Sequence, residues 1–216
     1  MKNRIFNIIF LGHQGSGKGT QAELLGKKLN LPILAMGDFF RREISVGTEI
    51  GKMAEIINNR GELMPDNITN KIVAGELAKK EYKNGIILDG FPRNLIQAKA
   101  LEEALKTTLA ILVNISDKES ITRISGRRTC PACGMVYHIK YNPPVRENIC
   151  DRCSEKLIIR ADDTEEAIKR RLEIYHEETE PMIYYYKQRG LLLEVNGEQP
   201  IEKVHEEIIK KLNIAH

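Results

Sequence analysis

A glycine-rich segment near the N-terminus has the residue types and spacing of a phosphate-binding loop. Residues 12–20 read GHQGSGKGT, between an apolar run that ends at Leu11 and a helix-like stretch that begins at Gln21. Glycines permit the tight turn that points backbone N–H groups at phosphate oxygens, and the lysine adds a positive charge. The flanking strand and helix favour this interpretation over a glycine turn with a chance lysine. The segment predicts a triphosphate site with contacts from Gly15, Ser16, Gly17, Lys18, Gly19 and Thr20.

Position 19 departs from the general loop pattern, in which Ser or Thr directly follows the lysine. Gly19 occupies that position, and Thr20 comes one residue later. We therefore do not expect a loop hydroxyl to coordinate Mg²⁺ directly.

The four cysteines form two CxxC pairs. Cys130 and Cys133 make the first pair, Cys150 and Cys153 make the second, and sixteen residues separate the pairs. Two such pairs can present four thiolates to one tetrahedral metal ion. We predict zinc in preference to iron or to two disulfides, because S₄ sites favour zinc and thiols stay reduced in the cytosol. Four thiolates complete the coordination shell, so the ion is predicted to be structural.

Five apolar runs of strand length are separated by segments of helix length. This alternation predicts an α/β fold with a five-stranded parallel sheet flanked by helices. The runs are Ile5–Leu11, Leu31–Met36, Gly85–Leu88, Ala110–Ile115 and Leu191–Val195. The rhythm breaks over residues 129–160, which contain all four cysteines and no helical periodicity. We interpret that segment as a small inserted domain.

Two helices near the C-terminus have identifiable starts. Thr164, or Asp163 before it, has the residue type of an N-cap for a helix that Pro181 would kink or divide. Farther along, apolar residues recur at spacings of three and four after Pro200, which indicates an amphipathic packing helix. These residues are Ile201, Val204, Ile208 and Leu212.

Length and composition are those of one globular domain. The 216 residues are 42% hydrophobic and 29% charged, and the net charge is only +3. A charge this small argues against a surface built mainly for nucleic acid. The first apolar run includes Asn7 and leads to Gly12 without a cleavage site, so it predicts neither a signal peptide nor a membrane span. We expect a cytoplasmic protein.

Two further motifs follow predicted strands. Residues 37–41 read GDFFR and residues 89–93 read DGFPR, so both lie at the sheet edge where α/β proteins bind ligands. Together with the glycine loop, these motifs make the chain resemble the adenylate kinases of the long-lid bacterial type. The resemblance covers nearly the whole chain and extends through GRR at 126–128, YH at 137–138, NPP at 142–144, RADD at 160–163 and KRRL at 169–172.

The resemblance implies a P-loop kinase fold with an inserted zinc-binding lid. The implied activity is the reversible, Mg²⁺-dependent transfer of the γ-phosphoryl group of ATP to AMP, giving two ADP. The implied division of the chain is a nucleotide-binding core of residues 1–34, 65–126 and 161–216, an AMP-binding segment at 35–64 and the lid at 127–160. Closure of both flaps would exclude water from the transfer. The family also implies a monomer whose partners are ATP, AMP and ADP, with no nucleic acid and no membrane.

The resemblance assigns roles to single residues, many of them arginines, whose planar group stays charged and pairs with phosphate oxygens. Lys18 and the loop amides would hold the ATP phosphates, and Asp89 would anchor Mg²⁺ through its waters. The implied catalytic residues are Lys18, Asp89, Arg93, Arg127, Arg160 and Arg171. Further ATP contacts are implied for Arg123, Arg127, Val136, Tyr137 and Gln199. The implied AMP contacts are Met36, Arg41, Leu63, Met64, Gly90, Phe91, Arg93, Gln97, Arg160 and Arg171.

Two positions depart from the residues that the family usually has. Gln14 replaces a Pro in the loop, and the loss of the fixed φ of proline predicts a less preorganised loop. Met36 replaces a Thr beside the AMP base, which predicts relaxed discrimination between acceptor bases. Gln97, which matches the family's reader of the adenine edge, is retained. A kinase that phosphorylates UMP, CMP or GMP therefore stays an alternative.

A zinc-ribbon module for nucleic acid, with a vestigial phosphate loop, is an alternative from another functional class. Lys140, Tyr141 and Arg146 lie between the cysteine pairs and could contact phosphate and stack on a base. The small net charge and the intact Asp89 and Arg93 argue against this alternative.

Three residues near the motifs receive no catalytic role. His13 is expected to be exposed in the loop. His138 is expected to belong to the lid turn or to the surroundings of the ATP base, because four cysteines already complete the metal site. Asp38 is expected to cap a helix that begins at Phe39.

Overall fold

The main sheet has five parallel strands, as the alternation of apolar runs predicts. This computed structural model describes residues 6–213, so Ile5, at the start of the first predicted strand, lies outside them. The strands are β1 (Asn7–Leu11), β2 (Ile33–Ala35), β3 (Ile86–Asp89), β4 (Leu109–Asn114), β5 (Arg127–Thr129), β6 (Val136–His138) and β7 (Leu192–Asn196). In the main sheet the strand order is β2-β3-β1-β4-β7, and β5 and β6 form a separate ribbon.

Helices cover both faces of this sheet. They are α1 (Lys18–Leu29), α2 (Met36–Val46), α3 (Glu49–Asn59), α4 (Asp66–Leu77), α5 (Leu95–Ala104), α6 (Asp117–Ser125), α7 (Glu165–Ile174), α8 (Glu180–Gln188) and α9 (Ile201–Leu212). A 3₁₀ turn spans Lys80–Tyr82, and a π-helical segment spans Tyr175–Thr179. No helix within residues 6–213 is long and apolar enough to cross a membrane.

The helix predicted to begin near Thr164 is capped as expected, but a π-helical segment that precedes Pro181, and not Pro181 itself, interrupts it. The Thr164 side chain accepts a hydrogen bond of 3.2 Å from the backbone N–H of Ala167, so Thr164 is the N-cap of α7. The π-helical segment then separates α7 from α8, and Pro181 lies in the first turn of α8. Proline is tolerated in a first turn because its missing N–H would have no partner within the helix there.

α2 begins earlier than the sequence predicts. Met36, expected to end a strand, is the first residue of α2, and Ala35 is its N-cap. Asp38 therefore lies inside the first turn, and its predicted role as the cap is wrong. Its carboxylate pairs instead with the guanidinium of Arg41, one turn further along the helix.

β1 has apolar residues on both faces because it is the central strand of the sheet. Ile8 and Phe10 belong to the apolar cluster that includes residues of α1 and α9. Ile9 and Leu11 belong to the cluster on the other face, with residues of α2, α5 and α8. This alternation follows from the two-residue period of a strand and places the start of the glycine loop between two packed layers.

The sheet also brings the motifs together at one edge. β1 pairs with β3 on one side and with β4 on the other, and the register sets Phe10 beside Asp89. Ligands of open α/β sheets bind at the carboxyl ends of strands, at the point where the strand order reverses. The glycine loop leaves the sheet at that point.

The inserted segment between α6 and α7 is built on the β5–β6 ribbon. A bridge from Thr129 to Ile158 adds a third segment beside β5, and a separate bridge joins Ile149 to Lys156. Its buried apolar cluster consists of Cys130, Tyr137, Cys150 and Leu157. An apolar core this small rarely stabilises a domain alone, and metal ligation is one of the usual supplements.

Candidate active site

The phosphate loop has the backbone conformation that its glycines predict. Gly15 and Gly17 have φ angles of 74° and 89°, in the left-handed region that disfavours other residues. Gly17 is the N-cap of α1, so the first N–H groups of that helix point towards the loop. A Cβ atom on Gly12 would lie 2.4 Å from the carbonyl oxygen of Val113, which explains glycine at that position as well. Backbone N–H groups at a helix N-terminus form a site for phosphate.

Lys18 lies in a field of converging positive charges. Its ammonium donates a hydrogen bond of 3.1 Å to the carbonyl of His13, which holds the side chain over the loop. Burial lowers the pKa of Lys18 to about 8, and the nearby charge of Asp89 opposes that shift. The positive charges of Arg93, Arg127 and Arg171 contribute to this lowered pKa. Because these four cations come from separate parts of the chain, their convergence indicates a site for a highly charged anion.

Asp89 ends β3 next to this group of cations. Burial raises the pKa of its carboxyl, against the effect of Lys18 and Arg93. Its Oδ1 atom is buried and has no hydrogen-bond partner among the described residues. A Cβ atom on Gly19 would lie 3.0 Å from Oδ2 of Asp89, so glycine lets α1 approach the carboxylate closely. A carboxylate oxygen that lacks a protein partner beside a phosphate loop fits a magnesium ion and its waters.

Two aspartates orient two of the predicted arginines. Arg127 donates through Nε to Oδ2 of Asp163 at 2.9 Å and through Nη2 to Oδ1, and the Asp163 carboxylate is fully buried. Arg171 also pairs with an aspartate, because its Nη2 atom donates to Oδ2 of Asp162. Burial alone would raise the pKa of Asp162, but Arg171 lowers it. Both aspartates belong to the RADD motif, but only a helix-cap role was considered for Asp163 and none for Asp162, so their pairing with arginines was not predicted.

Arg160 extends the positive region into the lid. Its Nε atom donates a hydrogen bond of 3.0 Å to the hydroxyl of Thr129 on β5. Burial, together with the positive charges of Arg127 and Arg41, lowers the pKa of Arg160 to about 9. Arg41, which lies on α2, therefore adds its positive charge to the same region.

The predicted AMP contacts lie around the ends of β2 and β3. Nε of Arg93 donates to the carbonyl of Gly90 at 3.0 Å. The amide of Gln97 is already bonded, because Oε1 accepts from the Arg93 backbone N–H and Nε2 donates to Asp66, both at 2.8 Å. The apolar members of the predicted set share one buried cluster, namely Met36, Met64 and Phe91. Leu63, which precedes Met64 in the chain, is half-buried.

The predicted ATP contacts outside the phosphate loop lie in two places, near the loop and on the inserted segment. Arg123 donates to the carbonyl of Ser16 at 3.3 Å and to that of Gly197 at 2.9 Å, so it joins the loop to the segment that carries Gln199. Gln199 itself donates to the carbonyl of Asn196 and to Glu207. In the lid, Val136 is exposed and the ring of Tyr137 is buried in the lid core.

The four cysteines converge as their spacing predicts. Sγ of Cys130 lies 3.4 Å from Sγ of Cys153, and Sγ of Cys133 lies 3.5 Å from Sγ of Cys150. Tetrahedral zinc with Zn–S bonds of about 2.3 Å holds its sulfurs roughly 3.8 Å apart, so these thiols fit a zinc ion. None of the four forms a disulfide. The Tyr137 hydroxyl lies 3.5 Å from Sγ of Cys150 and accepts from the Asp151 N–H, so it orients one candidate ligand.

The side chain of Gln14 makes hydrogen bonds that a proline could not make. Its Oε1 atom accepts from Arg171 at 3.1 Å, its Nε2 atom donates to the Ile168 carbonyl at 3.3 Å, and its backbone carbonyl accepts from the Ser120 hydroxyl at 2.8 Å. The first two bonds need the glutamine side chain, whereas the backbone carbonyl of a proline could also accept the third, and the prediction of a softened loop included neither side-chain bond. The three bonds tie the loop to α6 and α7 where the fixed φ of proline is lost.

His13 is buried, so the expectation that it is exposed in the loop is wrong. It is 5% exposed, and its ring lies on that of Tyr175 with the centroids 3.7 Å apart. The π-helical segment supplies this stacking partner, and nothing local to the glycine loop in the sequence predicts it. His138 lies in the lid turn, where Nδ1 accepts from the N–H groups of Lys140 and Tyr141.

Comparison with known proteins agrees with this geometry. A family model described as adenylate kinase matches residues 10–191. The adenylate kinase of Lachnospira eligens is 45% identical over 210 residues, which cover 95% of this chain and 99% of that protein. The adenylate kinase of Acetivibrio thermocellus is 44% identical over 211 residues, covering 95% and 97%. That of Caldanaerobacter subterraneus subsp. tengcongensis is 42% identical over 210 residues, covering 95% of each chain. Because the family match spans most of the chain and these relatives align over nearly all of it, the chain belongs to the adenylate kinase family.

Proposed function

We propose that this chain catalyses the reversible, Mg²⁺-dependent transfer of the γ-phosphoryl group of ATP to AMP, giving two ADP. The observation that carries the proposal is the arrangement around the P-loop, where Lys18 donates to the carbonyl of His13 and Arg171, which pairs with Asp162, donates to the side chain of Gln14. Phosphoryl transfer needs positioning and stabilisation of charge, and it needs no nucleophilic side chain.

The donor side is the phosphate loop. The N–H groups of the loop and of the first turn of α1 hold the ATP phosphates, and Lys18 balances charge near the transferred group. Arg127 and Arg171 neutralise the charge that develops during transfer, with Arg160 acting from the lid. In related transfers a single arginine in this role contributes roughly 10³–10⁵ in rate.

The acceptor side lies between α2 and the loop after β3. Arg41 and Arg93 clamp the phosphate of AMP, since two guanidinium groups can each pair with phosphate oxygens. Met36, Met64 and Phe91 form the apolar wall for the base. Gln97 reads the adenine edge by exchanging its bond to Asp66 for one to the base. Because Met36 carries no hydroxyl, discrimination between bases is weaker than with threonine at this position.

Two flaps close over the reactants. Residues 35–64 form the AMP-binding segment, residues 127–160 form the lid, and residues 1–34, 65–126 and 161–216 form the core. Closure removes water, which strengthens the electrostatic interactions inside the site and prevents hydrolysis. Asp162 and Asp163 lie where the lid joins α7, and they hold Arg171 and Arg127 ready for the closed state.

Two metal ions complete the proposed enzyme. The thiolates of Cys130, Cys133, Cys150 and Cys153 would hold a structural zinc ion, which supplies stability to the lid and no open coordination position. Asp89 would hold magnesium through its waters, and magnesium supplies charge neutralisation on the ATP phosphates. We further propose a cytoplasmic monomer.

The experiment is an assay of ADP formation from Mg-ATP with AMP, GMP, CMP or UMP as acceptor. A strong preference for AMP supports the adenylate kinase activity with Gln97 and the pocket shape as its readers. Comparable use of several acceptors supports a monophosphate kinase of relaxed specificity, and Met36→Thr should then sharpen the preference for AMP. Absence of transfer to all four acceptors would overturn the proposed activity.

A further inference from the structure

His13, Asp117 and His176 form a compact cluster beside the phosphate loop, which we call the two-histidine cluster. His13 follows β1, Asp117 is the first residue of α6, and His176 lies in the π-helical segment. One nitrogen or oxygen atom from each residue lies within 4.8 Å of the others. The proposed phosphoryl transfer uses none of the three side chains.

His13 places a buried ring nitrogen beside Asp117 inside this cluster. Its side chain is 6% exposed, and its Nε2 atom lies 3.1 Å from Oδ1 of Asp117. Neither ring nitrogen makes a hydrogen bond of good geometry with the described residues. A buried polar atom without such a bond is unfavourable unless another partner satisfies it. The stacking on Tyr175 holds the ring in place, so the nitrogen stays directed at the cluster.

Asp117 lies between the two imidazoles at the spacing of metal ligands. Its Oδ1 atom is 3.1 Å from Nε2 of His13, and its Oδ2 atom is 3.1 Å from Nε2 of His176. Around a tetrahedral zinc ion with bonds of about 2.0 Å, neighbouring ligand atoms lie roughly 3.3 Å apart. The cluster therefore needs only small side-chain movements to surround an ion.

A second carboxylate completes the surroundings of His176. Nδ1 of His176 lies 3.0 Å from Oε1 of Glu180, one turn further along the chain. Imidazoles that bind metal through one nitrogen commonly donate from the other to a carboxylate, which fixes the ring and raises its basicity. π-Helical turns inside helices are rare and are frequently found at functional sites.

The ligand set selects the kind of ion. Two imidazole nitrogens and one carboxylate suit Zn²⁺, Co²⁺ or Ni²⁺, whereas Mg²⁺ prefers oxygen ligands and retains its waters. The side chains of Asp117 and His176 are 49% and 43% exposed, so an ion has access to the site and water can fill its fourth position.

We propose that His13, Asp117 and His176 bind one divalent transition-metal ion, separate from the zinc of the four cysteines. The ion joins the phosphate loop to α6 and to the π-helical segment, three parts of the chain that are far apart in sequence. Since the ion binds only the folded arrangement, it raises the thermal stability of the protein as its concentration rises.

The test is titration of Co²⁺ into protein whose cysteine site is already loaded with zinc. We expect one additional Co²⁺ per chain, with the weak visible bands of nitrogen and oxygen ligation and without the intense near-ultraviolet band of a cobalt–thiolate bond. Zn²⁺ should displace this Co²⁺. No binding beyond the cysteine site, or a thiolate band that accounts for all bound cobalt, would overturn the proposal and leave the cluster as a network of ion pairs.

Variants identify the ligands. His176→Ala and Asp117→Asn change partly exposed side chains, and each should weaken Co²⁺ binding by about tenfold or more. His205→Ala is the matched control, because His205 is a partly buried histidine on α9, and it should leave the affinity unchanged. The melting temperature of each variant without Co²⁺ shows whether it is folded. Equal affinity in His176→Ala, Asp117→Asn and the unaltered protein would overturn the assignment.

Discussion

Gln14 and Arg171 are joined by a hydrogen bond of 3.1 Å between residues that lie 157 positions apart in the chain. Gln14 belongs to the loop that would hold the donor phosphates, and Arg171 is a proposed stabiliser of the transferring group. The same arginine pairs with Asp162 and donates to the carbonyl of Asn58 at 3.0 Å. Its guanidinium is therefore oriented from three sides before any nucleotide binds.

Replacement of Gln14 by alanine tests this tether. Gln14→Ala removes the bond to Arg171 and the bond to the Ile168 carbonyl. Because loss of a bond to a charged group costs about 1.5–3 kcal/mol, we expect kcat/KM for ATP to fall about tenfold. Unchanged steady-state kinetics in the alanine variant would contradict the role of the tether.

Neighbouring arginines on α7 offer a matched comparison. Arg171→Ala should lower kcat by about 10³ or more, because it removes a charge that stabilises the transition state. Within residues 6–213 the only ion pair of Arg170 is with Glu173 on the surface, so Arg170→Ala should leave kcat within about twofold of the original. Single-turnover measurements with saturating AMP separate this effect from a change in product release. A similar loss in both variants would show that the effect is not specific to Arg171.

The buried partner of Arg127 should matter for stability. The Asp163 carboxylate is fully buried against that guanidinium. Breaking a buried pair leaves an uncompensated charge, so Asp163→Ala should lower the free energy of unfolding by about 3 kcal/mol in urea titrations. Glu165→Ala, which removes an exposed partner of Lys169, is the control and should have no measurable effect. Equal stability of the two variants would contradict the assignment.

The depressed pKa of Lys18 predicts a pH dependence of nucleotide binding. In the free protein burial lowers this pKa to about 8, while bound phosphate favours the charged form. Above pH 8 the protein must therefore take up a proton when ATP binds, and the Kd should rise by up to about tenfold per pH unit. Lys18→Arg keeps its charge throughout, so its Kd should be larger but nearly independent of pH. Calorimetry from pH 7 to 9.5 measures how the Kd for ATP changes with pH in the unaltered protein and in Lys18→Arg. The same change in both proteins would rule out Lys18 as its origin.

Removal of metal tests the lid. Zinc analysis should find the ion held by the four cysteines, and its removal with a strong chelator should expose the lid to proteases. Cys150→Ser should have the same effect without chelator, because one of four ligands is lost. ATP should still bind the phosphate loop, since the loop belongs to the core. The structural role of zinc would be contradicted if metal analysis shows that zinc is lost and the lid still resists proteases.

The features that the sequence predicts well are those encoded over a few neighbouring residues. The glycine loop and the CxxC pairs require fixed local spacings, and the structure places both as expected. The five-strand alternation is local as well. Identification of the arginines depended on motif context, because an isolated arginine is usually a surface charge.

The features that sequence reasoning missed depend on contacts between distant segments. Burial of His13 depends on Tyr175, which lies far along the chain and in a π-helical segment that no simple periodicity indicates. Asp162 and Asp163 gain their roles only when α7 packs beside the loop. The early start of α2 at Met36 was missed because Met36 is apolar and continues the run of the preceding strand.

The composition of the lid core has a consequence for chemical damage. Where most domains are held together by aliphatic side chains that resist oxidants, this one relies on Cys130 and Cys150 together with Tyr137 and Leu157. A peroxide that converts a single thiolate to a sulfenic or sulfinic acid removes a ligand and part of the core in one step. Oxidative injury to the enzyme would thus appear as the loss of a whole flap, with ATP still bound and no longer protected from water.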